Sequence, residues 1–315
     1  MIAILLGSLI GESLQSKKIS EFLTRLGHEN VLIDFHKLSK HDLSISESEH
    51  GLTASFLGRK ISPKTIYIAN NIRTDAIVAI PEHIIYPNSY RFSLSQMLLD
   101  FRHAFTEAIW LPGKNENIER GDSKPYVFSL ARRLGLSVPV FTENSFFPPE
   151  GNFDVCKKPL GFPFRLSINK DTCEEVGLTG IVEFDKKKMI FDGYPWQWQT
   201  LIRAKLQIRC FCVGKKIWSV AWEKEEISDF RYLNQVKRED VCWKAYSLPN
   251  EIVDKLLLLM SRLDLQMSAP EFLVDQDGKH TFIDLNPCGD WYGFFPDNIQ
   301  EEITQAIVAT LISAL

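Results

Sequence analysis

Apolar residues run without a break from Ile2 to Leu6, the pattern of a parallel strand buried on both faces. A loop follows over 7–13. Ile19, Phe22, Leu23 and Leu26 then recur at helical spacing, and Gly27 closes that helix. Val31 to Phe35 is a second strand, so the chain opens with a strand–helix–strand unit and predicts a small α/β lobe. Residues 36–64 are polar and predict short strands and turns, and Ile66 to Ala69 another strand. Leu94, Met97, Leu98, Phe101, Phe105, Ala108 and Ile109 form the apolar stripe of a helix over Leu94 to Trp110. Pro112-Gly113 breaks it and marks the first domain boundary. Ser123 is placed to cap a helix bearing Phe128, Leu130 and Leu134 and ending at Gly135. Strands are predicted over 137–142 and 153–158. Turn formers and mixed charge over 161–180 predict a mobile segment. Gln199 to Val213 alternates as one strand or two, and Gly214-Lys215 turns the chain into a strand over Lys216 to Trp222. Glu251 to Met267 and Gln300 to Leu315 read as helices, and no internal repeat appears.

The stretch Glu271-Phe-Leu-Val-Asp-Gln-Asp-Gly-Lys-His-Thr-Phe-Ile-Asp-Leu-Asn286 changes the picture from architecture to chemistry. Asp277-Gly278 between two β-type runs signals a hairpin, because both residues tolerate the positive φ of such turns. Strand residues alternate faces, so Asp284 and Asn286 point the same way. With Glu271 opposite them, two carboxylates and an amide would converge, a donor set suited to magnesium. A solvated hairpin with acidic residues on its wet face is the plainer alternative for these residues alone.

The 315 residues suffice for two or three lobes, and the composition, 45% hydrophobic and 24% charged, is that of a globular protein. A net charge of −4 gives no general affinity for nucleic acid or membrane surfaces. The six cysteines lack metal-binding spacing, and Cys210 and Cys212 share one strand face without being able to bridge, which fits free thiols in a reducing cytoplasm. Met1 to Ile10 lacks a basic start and is interrupted by Glu12, so it is expected to be a buried strand rather than a signal peptide. No GxGxxG motif follows the first strand, and no apolar run reaches membrane-spanning length.

Basic groups precede the acidic hairpin in a suggestive order: Lys124 at a helix start, Lys158 at a strand end, Arg209 within an apolar strand, and Arg231 after Asp229-Phe230. A nucleoside triphosphate bound through magnesium needs cations for phosphates and carboxylates for the metal. In this order, and in the run from Glu271 through Asn286-Pro-Cys-Gly-Asp-Trp291 with Asp229-Phe-Arg231 upstream, the chain resembles the ATP-grasp superfamily. Within it the chain is most similar to the microviridin-type, or graspetide, peptide ligases, and then to the ribosomal-protein glutamate ligases. The resemblance is patchy but spans the chain, and Ser123-Lys124 to Ala131 followed by Gly135-Leu-Ser-Val-Pro139 resembles the family's approach to its lid lobe.

The resemblance implies an α/β ATP-grasp fold with a pre-ATP-grasp domain over 1–112, a lid lobe over 113–198 and a C-terminal antiparallel-sheet lobe with the metal site over 199–315. It implies that Lys124 and Lys158 hold ATP phosphates, that Gln199, Thr200, Leu201 and Ile202 line the adenine, that Arg209 and Arg231 serve the γ-phosphate and acyl phosphate, and that Glu271, Asp284 and Asn286 bind Mg2+. Three features depart from the family pattern. Thr200 stands where Glu is usual, Glu271 and Asp284 exchange the usual Asp and Glu, and only Gly161 and Pro163 represent the glycine-rich loop. The implied activity is ATP-dependent carboxylate–amine or carboxylate–alcohol ligation through an acyl phosphate, on a ribosomally made peptide or a small carboxylate. Two alternatives stay open: an amino-acid or protein glutamate ligase, and an inactive ATP-binding regulatory protein. Family members often pair into homodimers, though no segment demonstrates this here. Singly, each residue has a plainer reading: Lys124 as an exposed helix start, Lys158 as a solvated strand end, Arg231 as a partner of Asp229, and the tryptophan cluster as core.

Overall fold

A computed structural model of the chain describes residues 1–6, 14–34, 43–49, 51–69, 84–105, 107–144, 155–160, 165–169, 172–175, 180–182, 196–223 and 241–313. The N-terminal lobe is built on a four-stranded parallel sheet of β1 (Ile2–Leu6), β2 (Asn30–Asp34), β6 (Thr65–Ile68) and β7 (Ile109–Leu111), in the order β2-β1-β6-β7. Helix α1 (Leu14–Arg25) links β1 to β2, as expected of a parallel pair. A three-stranded antiparallel sheet, β3 (Leu43–Ser48), β4 (Gly51–Phe56) and β5 (Arg59–Ile61), occupies the polar region predicted to hold short strands.

Helix α2 covers Pro87–Ala104, starting earlier and ending sooner than its apolar stripe suggests. Ile109-Trp-Leu111 satisfies a strand period as well as a helical one. Here the sheet edge wins: Ile109 N donates to Lys64 O at 2.9 Å and β7 pairs with β6. Helix α3 (Asn115–Asp122), absent from the sequence reading, precedes α4 (Lys124–Arg133). Ser123 occupies the capping position of α4, but its side chain makes no capping hydrogen bond.

A second four-stranded sheet has the order β12-β9-β13-β8, from β8 (Phe141–Asn144), β9 (Val155–Pro159), β12 (Gly180–Val182) and β13 (Trp196–Thr200). The segment from 161 to 180 holds the described hairpin β10 (Arg165–Asn169) and β11 (Thr172–Glu175) and ends on the first residue of β12; its other residues, including Gly161 and Pro163, lie outside the described residues.

The C-terminal lobe carries a five-stranded antiparallel sheet, β16-β15-β14-β17-β18, made of β14 (Ala204–Val213), β15 (Lys216–Glu223), β16 (Lys244–Ala245), β17 (Met267–Asp275) and β18 (His280–Asn286). The alternating run from Gln199 to Val213 is therefore divided between two sheets, with 201–203 as the link. Helix α5 (Asn250–Leu263) buries Leu256, Leu259, Met260 and Leu263. It stops where Asp264 adopts φ 53°, which returns Met267 to a strand rather than to the helix. Helix α6 (Asp297–Ile312) packs beside α1, and Thr65 Oγ1 donates to Leu311 O at 3.2 Å. One apolar cluster, including Ile4, Tyr67, Phe211, Trp291 and Ile307, joins the parallel sheet to the C-terminal sheet. No helix among the described residues is long and apolar enough to cross a membrane.

Candidate active site

The β17–β18 turn spans 276–279, where Gly278 takes φ 82° and Asp275 Oδ1 accepts from the backbone N–H groups of Asp277 and Lys279. The pairing holds one register from the turn to Phe272–Phe282 and then shifts by one residue, at Ile283. Glu271 on β17 faces Asp284 on β18 and, on its other side, Arg209 on β14. Cross-strand neighbours share a face and lie about 5 Å apart at Cβ, so the three side chains form one row.

Hydrogen bonds tie that row together. Arg209 Nη1 donates to Glu271 Oε1 at 3.0 Å, and Gln207 Nε2 to Glu271 Oε2 at 3.1 Å. Arg209 Nη2 reaches Asp290 O at 3.2 Å, and its guanidinium carbon sits 3.9 Å from the Phe294 ring centroid. Phe294 contacts Trp243 at 6.0 Å between centroids, and Trp243 contacts Trp222 at 6.3 Å. Lys124 Nζ, at the start of α4, pairs with Asp284 Oδ1 at 3.0 Å. The Arg209–Glu271 pair is largely buried, whereas the Lys124–Asp284 pair is about one-third exposed.

Lys158 arrives from the other sheet. It pairs with Gln197 across β9 and β13, so Lys158, Gln197 and Gln199 share one face. Burial first, then the nearby Lys124 ammonium, pull the Lys158 pKa down to about 8, while Asp284, Cys156 and Glu271 act in the opposite direction. The half-buried Lys158 thus stands within electrostatic reach of the row on the C-terminal sheet. The same face of β13 holds two buried carbonyl oxygens, Gln197 Oε1 and Gln199 Oε1, that find no hydrogen-bond partner among the described residues. On the opposite face, Trp196 and Trp198 pack with Val155 in a small separate core.

The structure therefore brings Lys124 and Asp284, and Arg209 and Glu271, together as two ion pairs on neighbouring strand positions, with Lys158 close to them. Asn286 follows Asp284 on the same face, opposite Ala269, and its Oδ1 accepts from Cys288 N at 3.1 Å. Gln199 and Thr200 end β13, and the half-buried Leu201 and Ile202 lie on the link between the sheets. Arg231 lies outside the described residues. Gln197, Gln207, Asp290 and Phe294 join the same neighbourhood without having been singled out in the sequence. Alternation was a usable signal for the glutamines, since Gln197 is two residues from Gln199 and Gln207 two from Arg209. Phe294 carries no such periodicity.

Hard oxygen donors from paired strands, beside cations from both lobes, fit a magnesium–polyphosphate group. Two sheets facing one another across this site, behind an α/β N-terminal lobe, define the ATP-grasp fold. Over its whole length the chain superposes on macrocyclase MdnC of Microcystis aeruginosa MRC, solved with the precursor peptide MdnA, with TM-score 0.78, 19% identity and 100% of each chain covered. The RiPP-associated ATP-grasp ligase of Chryseobacterium gregarium, solved with ADP and a leader and core peptide, gives TM-score 0.76 and 19% identity, covering 100% of this chain and 98% of that one. ATP-grasp ligase PsnB, solved with a minimal precursor, Mg and ADP, gives TM-score 0.68 and 17% identity, with 99% and 96% covered. No protein-family model and no curated protein matches the chain.

Proposed function

We propose that this protein is an ATP-dependent ligase that joins a carboxylate to a hydroxyl or amine within a ribosomally made peptide. The observation that carries the reading is the Arg209–Glu271–Asp284 row, capped by Lys124 and faced by Lys158 from the opposing sheet. The full-length likeness to ligases solved with precursor peptides and ADP supports the substrate class. We assign 1–112 to a pre-ATP-grasp domain, 113–198 to the lid and 199–315 to the metal-bearing lobe; β13 spans the join between the last two. The free, buried Cys210, Cys212 and Cys288 support a reducing cytoplasm.

Glu271, Asp284 and Asn286 would hold Mg2+, which when bound supplies charge neutralisation at the phosphates. Lys124 and Lys158 would exchange carboxylate neighbours for phosphate oxygens, and Gln199 to Ile202 would flank the adenine. Arg209, kept aimed by Glu271, Asp290 O and Phe294, would offer donors to the transferring γ-phosphoryl group. Arg231 is assigned by resemblance to the acyl phosphate. The substrate carboxylate oxygen attacks the γ-phosphorus and ADP leaves; the hydroxyl or amine then attacks the acyl carbon, loses its proton, and phosphate departs.

Phosphate release from ATP and Mg2+, measured with and without peptide, tests this. Stimulation by a hydroxyl- and carboxylate-rich peptide is the expected result. Stimulation by free glutamate instead would make it an amino-acid ligase, and nucleotide binding without turnover a regulatory protein.

A further inference from the structure

Arg102, near the end of α2, carries a charge that its surroundings leave unanswered. Leu98 and Phe101 beside it are buried, so this side of the helix faces inward. Arg102 is half-buried, and its Nε lies inside the protein without a hydrogen-bond partner. The guanidinium forms no ion pair among the described residues. Burial pulls its pKa down, while Cys288 and then Glu119 act in the opposite direction. Neither answers the charge in place. Burial pushes the Cys288 thiol up, so it stays neutral. Glu119 is exposed, and its Oε1 accepts from Asn115 Nδ2 at 2.6 Å. A guanidinium cannot shed its proton, so one held inside without a carboxylate is a standing cost that points to a missing anion.

The neighbourhood says which anion. Asn286 Oδ1 accepts from Cys288 N, and Asp290 O accepts from Arg209. The loop over 287–291 thus runs from the side chain assigned to Mg2+ to the arginine assigned to the γ-phosphoryl group. Arg102 stands within electrostatic reach of its middle, from the N-terminal lobe. Asp122 and Asp290 also act on Cys288, but neither forms an ion pair with Arg102. Lys124, Lys158 and Arg209 already serve the phosphates. The anion of the reaction that still lacks a cation is the carboxylate of the peptide. A planar guanidinium fork matches that group with two parallel N–H···O bonds.

We propose that Arg102 is the docking point for a side-chain carboxylate of the peptide substrate, held on the N-terminal lobe beside the 287–291 loop. The inference rests on the ligase reading above and deepens it by naming a residue that selects acidic side chains over their amides. A glutamate or aspartate would offer two acceptors to the fork. Glutamine or asparagine would set its own N–H2 donor against the guanidinium donors and leave both unpaired, the situation in which polar discrimination is largest.

The test follows the melting temperature of the full-length protein with glutarate, a free stand-in for a glutamate side chain. The controls are the neutral diamide of glutarate and sodium chloride at matched ionic strength. Glutarate alone is expected to raise the melting temperature of wild type by about 2 °C. Arg102→Met, which keeps an apolar stem and removes the charge, should melt above wild type and lose the glutarate response. Lys124→Ala, in the phosphate row, should keep that response. A response retained in Arg102→Met would overturn the proposal, and its loss in Lys124→Ala would move the carboxylate to the phosphate row instead. Arg102→Met melting below wild type would make Arg102 a structural partner and overturn the proposal too, as would a wild type indifferent to glutarate. No nucleotide enters these measurements, so their failure is distinct from that of the nucleotide site, which would show as no binding of the imido analogue of ATP by wild type.

Discussion

Glu271 illustrates why residues of one site should differ in what their loss costs. It is the main carboxylate partner of a buried guanidinium, and Gln207 satisfies its second oxygen. Glu271→Ala should strand Arg209 and lower stability by about 3 kcal/mol, read by urea unfolding. Lys124 and Asp284, closer to solvent, form a screened pair, so Lys124→Ala should cost less than about 1 kcal/mol while weakening nucleotide binding strongly. Asp284→Ala and Asn286→Ala should abolish turnover and leave the fold intact by circular dichroism. Full activity in either would remove the metal assignment. Lys158 adds a pH signature. Its pKa lies below the ordinary lysine value, at about 8, so the folded protein releases this proton before the unfolded chain does. Between about 8 and 10.5 the unfolded state binds more protons, and this group's contribution to stability rises with pH. Phosphate binding needs the ammonium and follows the opposite course. Affinity for an ATP analogue should decline as pH rises through 8, and in Lys158→Met that decline should flatten.

At the scale of elements, the loop after β18 connects the carboxylate row to the arginine. Gly289 lies against β17: a Cβ there would stand 2.3 Å from Ala269 Cβ. Gly289→Ala must push the loop outward, carrying Asp290 O and Phe294 away from Arg209. The expected result is a fall in kcat of tenfold or more, with nucleotide affinity much less affected, seen in steady-state kinetics. The hairpin beneath was legible from the sequence, because Asp277-Gly278 marks its turn, but the register was not: a shift between Glu271 and Phe272 leaves Ile283 as an extra residue and so buries Phe272, Phe282 and Leu285 together. The basic residues were placed by order and resemblance rather than by pattern. What stayed hidden had physical causes. Ile109-Trp-Leu111 is compatible with two periods, and only pairing with β6 decides between them. Helix α3 is mostly polar, with just Ile118 as a buried large apolar residue, so it offers little periodicity. The division of 199–213 between two sheets depends on contacts distant in sequence.

For the whole molecule, one buried side chain adds polar contacts to the apolar docking of the lobes. Gln15, 2% exposed, donates from Nε2 to Ala69 O at 2.6 Å and accepts at Oε1 from Trp291 N at 3.3 Å. It thereby fastens α1, the end of the parallel sheet and the loop below the active site to one another. Gln15→Leu would leave a buried carbonyl and a buried amide unpaired, and a loss of about 2–4 kcal/mol is expected from thermal unfolding.

The aromatic chain under Arg209 has a practical consequence of another kind. A guanidinium stacked on Phe294 is coupled through an edge contact to the indole of Trp243, and through a tilted one to that of Trp222. Any anion that draws Arg209 off its ring alters the surroundings of two natural fluorophores. On the proposed reading of Arg209, the protein would contain its own optical gauge of γ-phosphate arrival, readable in a stopped-flow trace without an added dye.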